Sequence, residues 1–322
     1  MRVLFMGTSE FANPALTALI AENYEILGVV TQPDRPSGRG KKIKPSPVKE
    51  IALDHDLQVY QPEKVRKKEF VENLKRLDPD VMVVAAFGQL LPQTVLDIPP
   101  CGVINIHPSL LPKYRGAAPI QWALINGEKE TGVTLMLLDV GEDTGDIICR
   151  ARIPIELKDT ALTLHQKLAK IGAKLLIDVL ANLQPGEPPP STPQNHTEAT
   201  HAPRLTKEIG CINWPDSSTK IHNLIRGTSG WPGAYTFIRE NTLIKIIQAQ
   251  LEHTKETQLN EQPGSIWIDA EQNLIVSTGK GKVQLLHVQP ETKKVMSAKD
   301  FINGYQLKTG ECFTSSESIT DQ

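Results

Sequence analysis

The feature that most constrains the fold is an alternation in the first half of the chain. Short apolar runs at residues 3–6, 26–31, 81–85, 103–106 and 134–139 are separated by helical patterns at 15–21, 48–54, 70–77 and 118–125. Near-continuous apolar runs suit strands buried on both faces, and intervening helices supply the crossovers that parallel strands need. The expected class is therefore α/β, a Rossmann-like, mostly parallel sheet. A longer helical stretch at 162–183 closes this half, with Thr160 placed to cap it. Gln184-Pro185-Gly186-Glu187-Pro188-Pro189-Pro190 then reads as a semi-rigid spacer, because prolines cannot continue a helix.

The second half has a different texture. After a short helix at 217–226, strand-like runs at 234–239, 243–251, 265–267, 274–277 and 283–288 are separated by turn residues. Short strands with few helices predict a small antiparallel β-barrel, OB-fold-like. Ser297-Ala298-Lys299-Asp300 resembles a capping box at the start of a last helix, and the polar tail after Gly310 is expected to fray. The boundaries expected are 1–189 for the sheet domain, 190–206 for a linker and 207–322 for the barrel.

Cysteine usage narrows the setting. Cys101, Cys149, Cys211 and Cys312 are far apart, with no CxxC pair, so neither a zinc site nor a disulfide framework is indicated. That pattern fits a reducing cytoplasm. The opening Met1-Arg2-Val3-Leu4-Phe5-Met6 reads as a strand and lacks the apolar core of a signal peptide. No apolar run reaches the ~18 residues of a membrane span. The net charge of −2 does not point to a polyanion partner, so charge must be read locally.

Two segments carry chemistry. Asn105 and His107 lie two apart at the end of an apolar run, which puts both side chains on one face of a strand. Asp143 sits in Gly141-Glu142-Asp143-Thr144-Gly145, after another strand run. An amide, an imidazole and a carboxylate at adjacent strand ends can move protons and hold a developing oxyanion. Either of the first two alone would read as structural, Asn105 as a turn cap and His107 as a satisfied buried histidine. The three together point to catalysis, with Asp143 keeping His107 charged.

Other motifs are weaker. Gly7-Thr8-Ser9 follows the first strand, but only Gly7 of the G-x-G-x-x-G fingerprint is present, which excludes a nicotinamide dinucleotide. Ser46-Pro47-Val48-Lys49 and Lys308-Thr309-Gly310 mimic part of a penicillin-binding signature without its S-D-N element, and are chance matches. Residues 35–49 are more informative, with Arg35, Arg39, Lys41, Lys42, Lys44 and Lys49 and no acid among them. Unpaired neighbouring cations repel each other and are relieved by a polyanion such as a phosphate backbone.

The run Asn105-Ile106-His107-Pro108-Ser109-Leu110-Leu111-Pro112-Lys113-Tyr114-Arg115-Gly116-Ala117-Ala118-Pro119-Ile120-Gln121, with Asp143-Thr144-Gly145, resembles the folate-dependent formyltransferases. The likeness extends to Arg2-Val3-Leu4-Phe5-Met6-Gly7-Thr8, to Pro33 through Lys42, to Ala86-Phe87-Gly88-Gln89-Leu90-Leu91-Pro92 and to Arg226-Gly227 through Trp231-Pro232-Gly233-Ala234. It implies a Rossmann-like catalytic domain and a C-terminal oligonucleotide-binding barrel. The implied donor is 10-formyltetrahydrofolate, without a metal. The implied acceptor is the free α-amino group of methionine on initiator tRNA. By the same resemblance Asn105, His107 and Asp143 are the catalytic set, and Ser109, Leu110, Leu111 and Pro112 line the folate site with Phe87, Gly88, Gln89 and Leu90 against the pterin. Arg35, Arg39, Lys41, Lys42 and Lys44 would meet the acceptor end of the tRNA, Arg39 being the best single candidate. The expected enzyme is a cytoplasmic monomer without a membrane partner.

Acids and bases balance from Lys207 onward, so barrel contacts to tRNA would be local: Lys207, Arg226, Lys245, Lys280, Lys282 and Lys293. Three rival readings stand beside this one: a formyltransferase acting on a small amine, a tRNA-binding protein without chemistry, and a 10-formyltetrahydrofolate hydrolase. The first has no need of the basic stretch, the second none of Asn105, His107 and Asp143. The third would release formate without an acceptor.

Overall fold

The computed structural model describes residues 1–37, 42–239, 242–252 and 262–315. The chain divides into two compact units. One comprises Met1–Pro119, Glu130–Pro154 and Leu164–Pro203, the other Ile120–Lys129, Ile155–Thr163 and Arg204–Gln322.

The first unit is built on strands β1 (Arg2–Gly7), β2 (Glu25–Val30), β5 (Val59–Tyr60), β6 (Val81–Ala85), β7 (Val103–His107), β8 (Glu130–Leu137) and β9 (Ile147–Pro154), with β3 (Arg35–Ser37) and β4 (Lys42–Lys44) forming a separate hairpin. The sheet order is β5-β2-β1-β6-β7-β8-β9. From β5 to β7 all pairs are parallel. Helices α1 (Asn13–Ala21), α2 (Pro47–Asp54) and α3 (Lys68–Leu77) fall between these strands, as the alternation predicted, together with a short α4 (Gln93–Leu96) that it did not. α5 (Pro119–Ile125) follows β7, and α6 (Ala161–Ala181) follows β9.

β7 is buried at every position, so its polar residues are exceptional. Its Ile106 side faces α6, where Gly172 permits close approach: a Cβ there would come within 2.6 Å of Ile106 Cγ2. The opposite face carries Asn105 and His107.

β8 and β9 depart from the parallel pattern. Both pair antiparallel, β8 to β7 and β9 to β8. β9 was not anticipated from the sequence. It is an edge strand with exposed Arg150 and Arg152, the latter bonded across to Glu130 at 2.6 Å, so its apolar alternation is faint.

In the second unit, α7 (Ser218–Gly227) precedes β10 (Ala234–Ile238), β11 (Thr242–Glu252), β12 (Ile266–Ile268), β13 (Leu274–Ser277), β14 (Lys282–Pro290), β15 (Met296–Ser297), α8 (Ala298–Tyr305) and β16 (Phe313–Thr314). The antiparallel sheet runs β12-β13-β14-β11-β10-β16, with β15 added to β14. Its ends meet through Phe313 N–H to Gly264 O at 2.9 Å and Ile266 N–H to Glu311 O at 2.7 Å. Trp214 and Phe313 stack in its core with centroids 5.7 Å apart. The frayed tail expected after Gly310 is thus corrected over Glu311–Thr314, because a buried Phe313 and these main-chain bonds tie it down. Ser297 caps α8 at the expected place: its Oγ accepts from Asp300 N–H at 3.1 Å and donates to the Asp300 carboxylate at 2.7 Å.

Candidate active site

Asn105 and His107 project from one face of β7, at 8% and 4% exposure. Met136 of β8 lies opposite Asn105 and packs with Leu111 and Ile147, giving that face an apolar floor.

Asp143 reaches them by a different route from the one expected. Because β8 runs antiparallel to β7, the C-terminal end of β8 lies beside the start of β7: Leu137 pairs Ile104, while His107 pairs Thr134. The two strand ends are not adjacent. The loop between β8 and β9 folds back along the sheet by three pairs, roughly 10 Å, and delivers the carboxylate to His107. Asp143 adopts a left-handed φ of 53° there. Such a backbone is uncommon outside glycine, and asparagine or aspartate tolerates it best.

The contacts then close. His107 Nδ1 lies 3.4 Å from Asp143 Oδ2, and His107 Nε2 lies 2.9 Å from the Tyr114 carbonyl. A carbonyl only accepts, so Nε2 carries a hydrogen. Asn105 Nδ2 is 3.5 Å from Asp143 Oδ1, and the Gly116 N–H donates to Asp143 Oδ2 at 2.8 Å. The 3.4–3.5 Å separations are long for hydrogen bonds, leaving the three polar groups close but loosely joined. Among the described residues no cluster of histidine, cysteine, aspartate and glutamate could hold a metal.

Ser109-Leu110-Leu111-Pro112 is a rigid turn beside this group. Ser109 Oγ donates to the Lys113 carbonyl at 2.7 Å, and Thr134 Oγ1 donates to the Ser109 carbonyl at 2.7 Å and accepts from Leu111 N–H at 3.1 Å. The Ser109 hydroxyl is thereby spent on the fold, and Leu111 is buried.

Phe87-Gly88-Gln89-Leu90 follows β6. Phe87 is buried, and its carbonyl accepts from Thr8 Oγ1 at 2.9 Å and Gln32 Nε2 at 3.3 Å, so the Gly7-Thr8-Ser9 turn braces this segment. Gly88 has a φ of 84°. Gln89 turns its amide away, accepting from Val65 N–H at 3.0 Å. Leu90 is 72% exposed, an apolar side chain presented outward.

The basic stretch resolves into the β3–β4 hairpin. Arg39 and Lys41 lie outside the described residues. Arg35 and Lys44 are both exposed and pair directly across the strands, so two like charges face each other. That arrangement is destabilising until an anion arrives. Lys49 does not belong with them. Its ammonium donates to Asp34 at 2.6 Å and Gln61 at 2.8 Å, while Gln61 donates to Asp34 at 2.8 Å and the Gln32 carbonyl at 2.9 Å. Ser46, the other half of the chance S-x-x-K match, caps α2 by accepting from Lys49 N–H. Asp34, just outside the stretch, thus supplies the acid missing within it and anchors the hairpin base.

The Lys49 ammonium first, and the Gln61 amide after it, hold the Asp34 carboxyl below its usual value. A depressed folded-state pKa contributes stability that is complete above the unfolded value and lost as pH falls through the folded one. Asp34→Asn should lower the thermal midpoint at neutral pH by roughly 2–4 °C, and the gap to the parent should narrow as pH falls below the usual aspartate range. A gap of constant size across that range would refute the clamp.

Arg226, expected among the barrel's tRNA contacts, is instead buried. Its guanidinium donates to Asn223 Oδ1 at 2.9 Å and to the Glu156 carbonyl at 3.0 Å. Lys282 lies 5.4 Å from the Trp267 ring centroid, a cation–π arrangement.

Two side chains important to the site were not singled out from the sequence. Gln194 and Arg115 are each 5% exposed and bond to each other, and Gln194 bonds to the Asp143 loop. Arg115 was within the motif. Gln194 gave no signal, because its partners lie far along the chain.

Residues 1–180 match the formyl transferase family and residues 204–306 match the formyl transferase C-terminal domain. The chain belongs to the formyl transferase family. Its relatives include the methionyl-tRNA formyltransferase of Caldanaerobacter subterraneus subsp. tengcongensis, 48% identical over 96% of this chain and 99% of that one. That of Thermodesulfovibrio yellowstonii is 48% identical over 96% of this chain and 97% of the relative. Among solved structures, WlaRD, a sugar 3N-formyl transferase crystallised with dTDP and 5-N-formyl-THF, superposes with a TM-score of 0.63 at 24% identity, over 91% of this chain and 99% of that one. The methionyl-tRNA formyltransferase from Clostridium thermocellum gives 0.57 at 18% identity, over 79% and 95%. At these identities the structures speak to the fold alone.

Proposed function

We propose that this chain transfers the formyl group of 10-formyltetrahydrofolate to the free α-amino group of methionine on initiator tRNA, a cytoplasmic step of translation initiation. The observation that carries this reading is the convergence of Asn105, His107 and Asp143 in a chain alike over nearly its whole length to methionyl-tRNA formyltransferases.

The acceptor nitrogen attacks the formyl carbon, and the carbonyl oxygen takes the electron pair. Asn105 Nδ2 has two hydrogens, only one of which can point at Asp143, so the other serves this oxygen. His107 Nε2–H stays tied to Tyr114, which leaves Nδ1 as the ring atom facing the chemistry. An ionised Asp143 opposite Nδ1 calls for a second ring proton. The resulting imidazolium balances the oxyanion with its charge, its Nδ1 remaining 3.4 Å from the Asp143 carboxylate. Asp143 accepts the proton lost by the amine, through water, and returns it to the departing folate nitrogen as the C–N bond breaks. Donors fixed before the reaction contribute on the order of 10²-fold each.

For the donor, Ser109-Leu110-Leu111-Pro112 supplies a rigid wall rather than a free hydroxyl. Phe87, Gly88, Gln89 and Leu90 supply backbone and an apolar surface for a flat ring, the Gln89 amide being engaged elsewhere. For the acceptor, the like charges of Arg35 and Lys44, with Arg39, Lys41 and Lys42 of the same segment, suit a phosphate backbone.

The test follows a labelled formyl group to methionyl-tRNA, comparing initiator with elongator tRNA, small amines and water. Transfer to the initiator alone is expected. Preferred transfer to a small amine, or formate release without an acceptor, would overturn the reading. Arg39→Ala is expected to raise the KM for methionyl-tRNA about tenfold while folate binding by titration is unchanged. Equal loss of both would exclude that role.

A further inference from the structure

We infer that Gln194, held by Arg115, is a positioning residue that fixes Asp143 for the reaction. The inference rests on the function proposed above and concerns residues on neither the catalytic nor the binding side of it.

Gln194 is buried, and its amide uses every bond it can make. Its oxygen accepts from Arg115 Nε at 3.2 Å and Nη2 at 2.7 Å. Its nitrogen donates to the carbonyls of Asp143 at 2.9 Å and Gly145 at 2.7 Å. A guanidinium only donates and carbonyls only accept, so the amide fits in one orientation. It grips the main chain of the β8–β9 loop on both sides of Thr144, across 51 residues of sequence from Asp143.

Arg115 is fixed in turn. Its N–H donates to the Thr200 carbonyl at 2.9 Å and its own carbonyl accepts from Ala202 N–H at 2.7 Å. Its two neighbours touch the reacting groups directly: the Tyr114 carbonyl faces His107 Nε2, and the Gly116 N–H meets the Asp143 carboxylate. One short segment therefore sets His107 through one residue, the Asp143 carboxylate through another, and the Asp143 backbone through Arg115 and Gln194. A non-glycine residue in the left-handed region persists only where its surroundings over-determine it, and this ring of contacts does so.

Gln194→Met keeps the length of the side chain and donates nothing. It should lower kcat for formyl transfer about 10²-fold, with the KM for both substrates within about twofold, because a displacement near 1 Å costs that much. In an Asp143→Asn background the same change should cost less than about threefold, since it acts through Asp143. Gln194→Glu keeps the acceptors for Arg115 but turns a carboxylate on the two carbonyls, and should be as slow as Gln194→Met. A parental kcat in Gln194→Met, a full additional loss in the Asp143→Asn background, or parental activity in Gln194→Glu would each overturn the inference. If the parent itself transfers nothing to methionyl-tRNA, the proposed function fails. The clamp is then read from thermal midpoints, where the losses from Arg115→Met and Gln194→Met should be non-additive, and additive losses would reject it.

Discussion

Asp143→Asn is expected to lower kcat for formyl transfer about 10³-fold while leaving the KM for methionyl-tRNA and for the folate donor within a few-fold. The substitution is nearly isosteric. An asparagine oxygen can still accept from the Gly116 N–H that now lies 2.8 Å from the carboxylate, and asparagine tolerates the left-handed φ of 53°. The loop therefore keeps its course. What disappears is the negative charge beside His107 Nδ1 and the base that takes the amine proton. Both losses fall on the transition state, so they appear in kcat. Asp143→Ala should be slower still, because it also strands the Gly116 N–H in a part-buried place. Steady-state kinetics on purified methionyl-tRNA decide the matter. An asparagine variant with more than a tenth of the parental kcat would remove Asp143 from the proton path.

How much of this was legible in the sequence depended on the range of the interaction concerned. β1, β6 and β7 were readable because a parallel strand buried on both faces must be apolar throughout, a local property. Against that background Asn105 and His107 stood out as polar groups where none should be. The direction of β8 was not readable. Its apolar run says only that it is buried, and the step from a parallel to an antiparallel pair changed how Asp143 reaches the site. Gln194 was invisible for a stronger reason. It sits among prolines, serines and threonines whose composition describes a spacer, yet Thr192 pairs with Ile147 and Gln194 with the Asp143 loop. The basic hairpin was legible as charge, but its anchoring by Asp34 and Gln61 depended on contacts outside the stretch. In the tail the one clue was Phe313, an aromatic in a polar setting, whose stacking on Trp214 is non-local.

Gly145→Ala is the second change with a large expected effect, and it reaches the chemistry without touching a reacting group. The β8–β9 hairpin closes tightly: Leu137 N–H donates to the Asp146 carbonyl at 2.9 Å. A Cβ on Gly145 would lie 1.9 Å from the Leu137 carbonyl oxygen and 3.2 Å from Asp139 N, both main-chain atoms that cannot swing aside as a side chain can. Relieving the first contact requires the loop to move by more than 1 Å, two residues from Asp143 and at the carbonyl that Gln194 grips. A shift of that size costs about 10² in turnover. Stability should fall as well, lowering the thermal midpoint by roughly 4–8 °C for about 2 kcal/mol of strain. Gly141→Ala in the same loop separates geometry from mere loss of glycine. There the nearest atom is Thr144 Oγ1 at 2.0 Å, a side chain that can rotate away at the expense of its bond to Asp139. Its kcat should stay within about fivefold of the parent. A Gly145→Ala variant with kcat as near the parent as Gly141→Ala would show that the loop tolerates displacement, and that the position of Asp143 is not held by the main chain around Gly145.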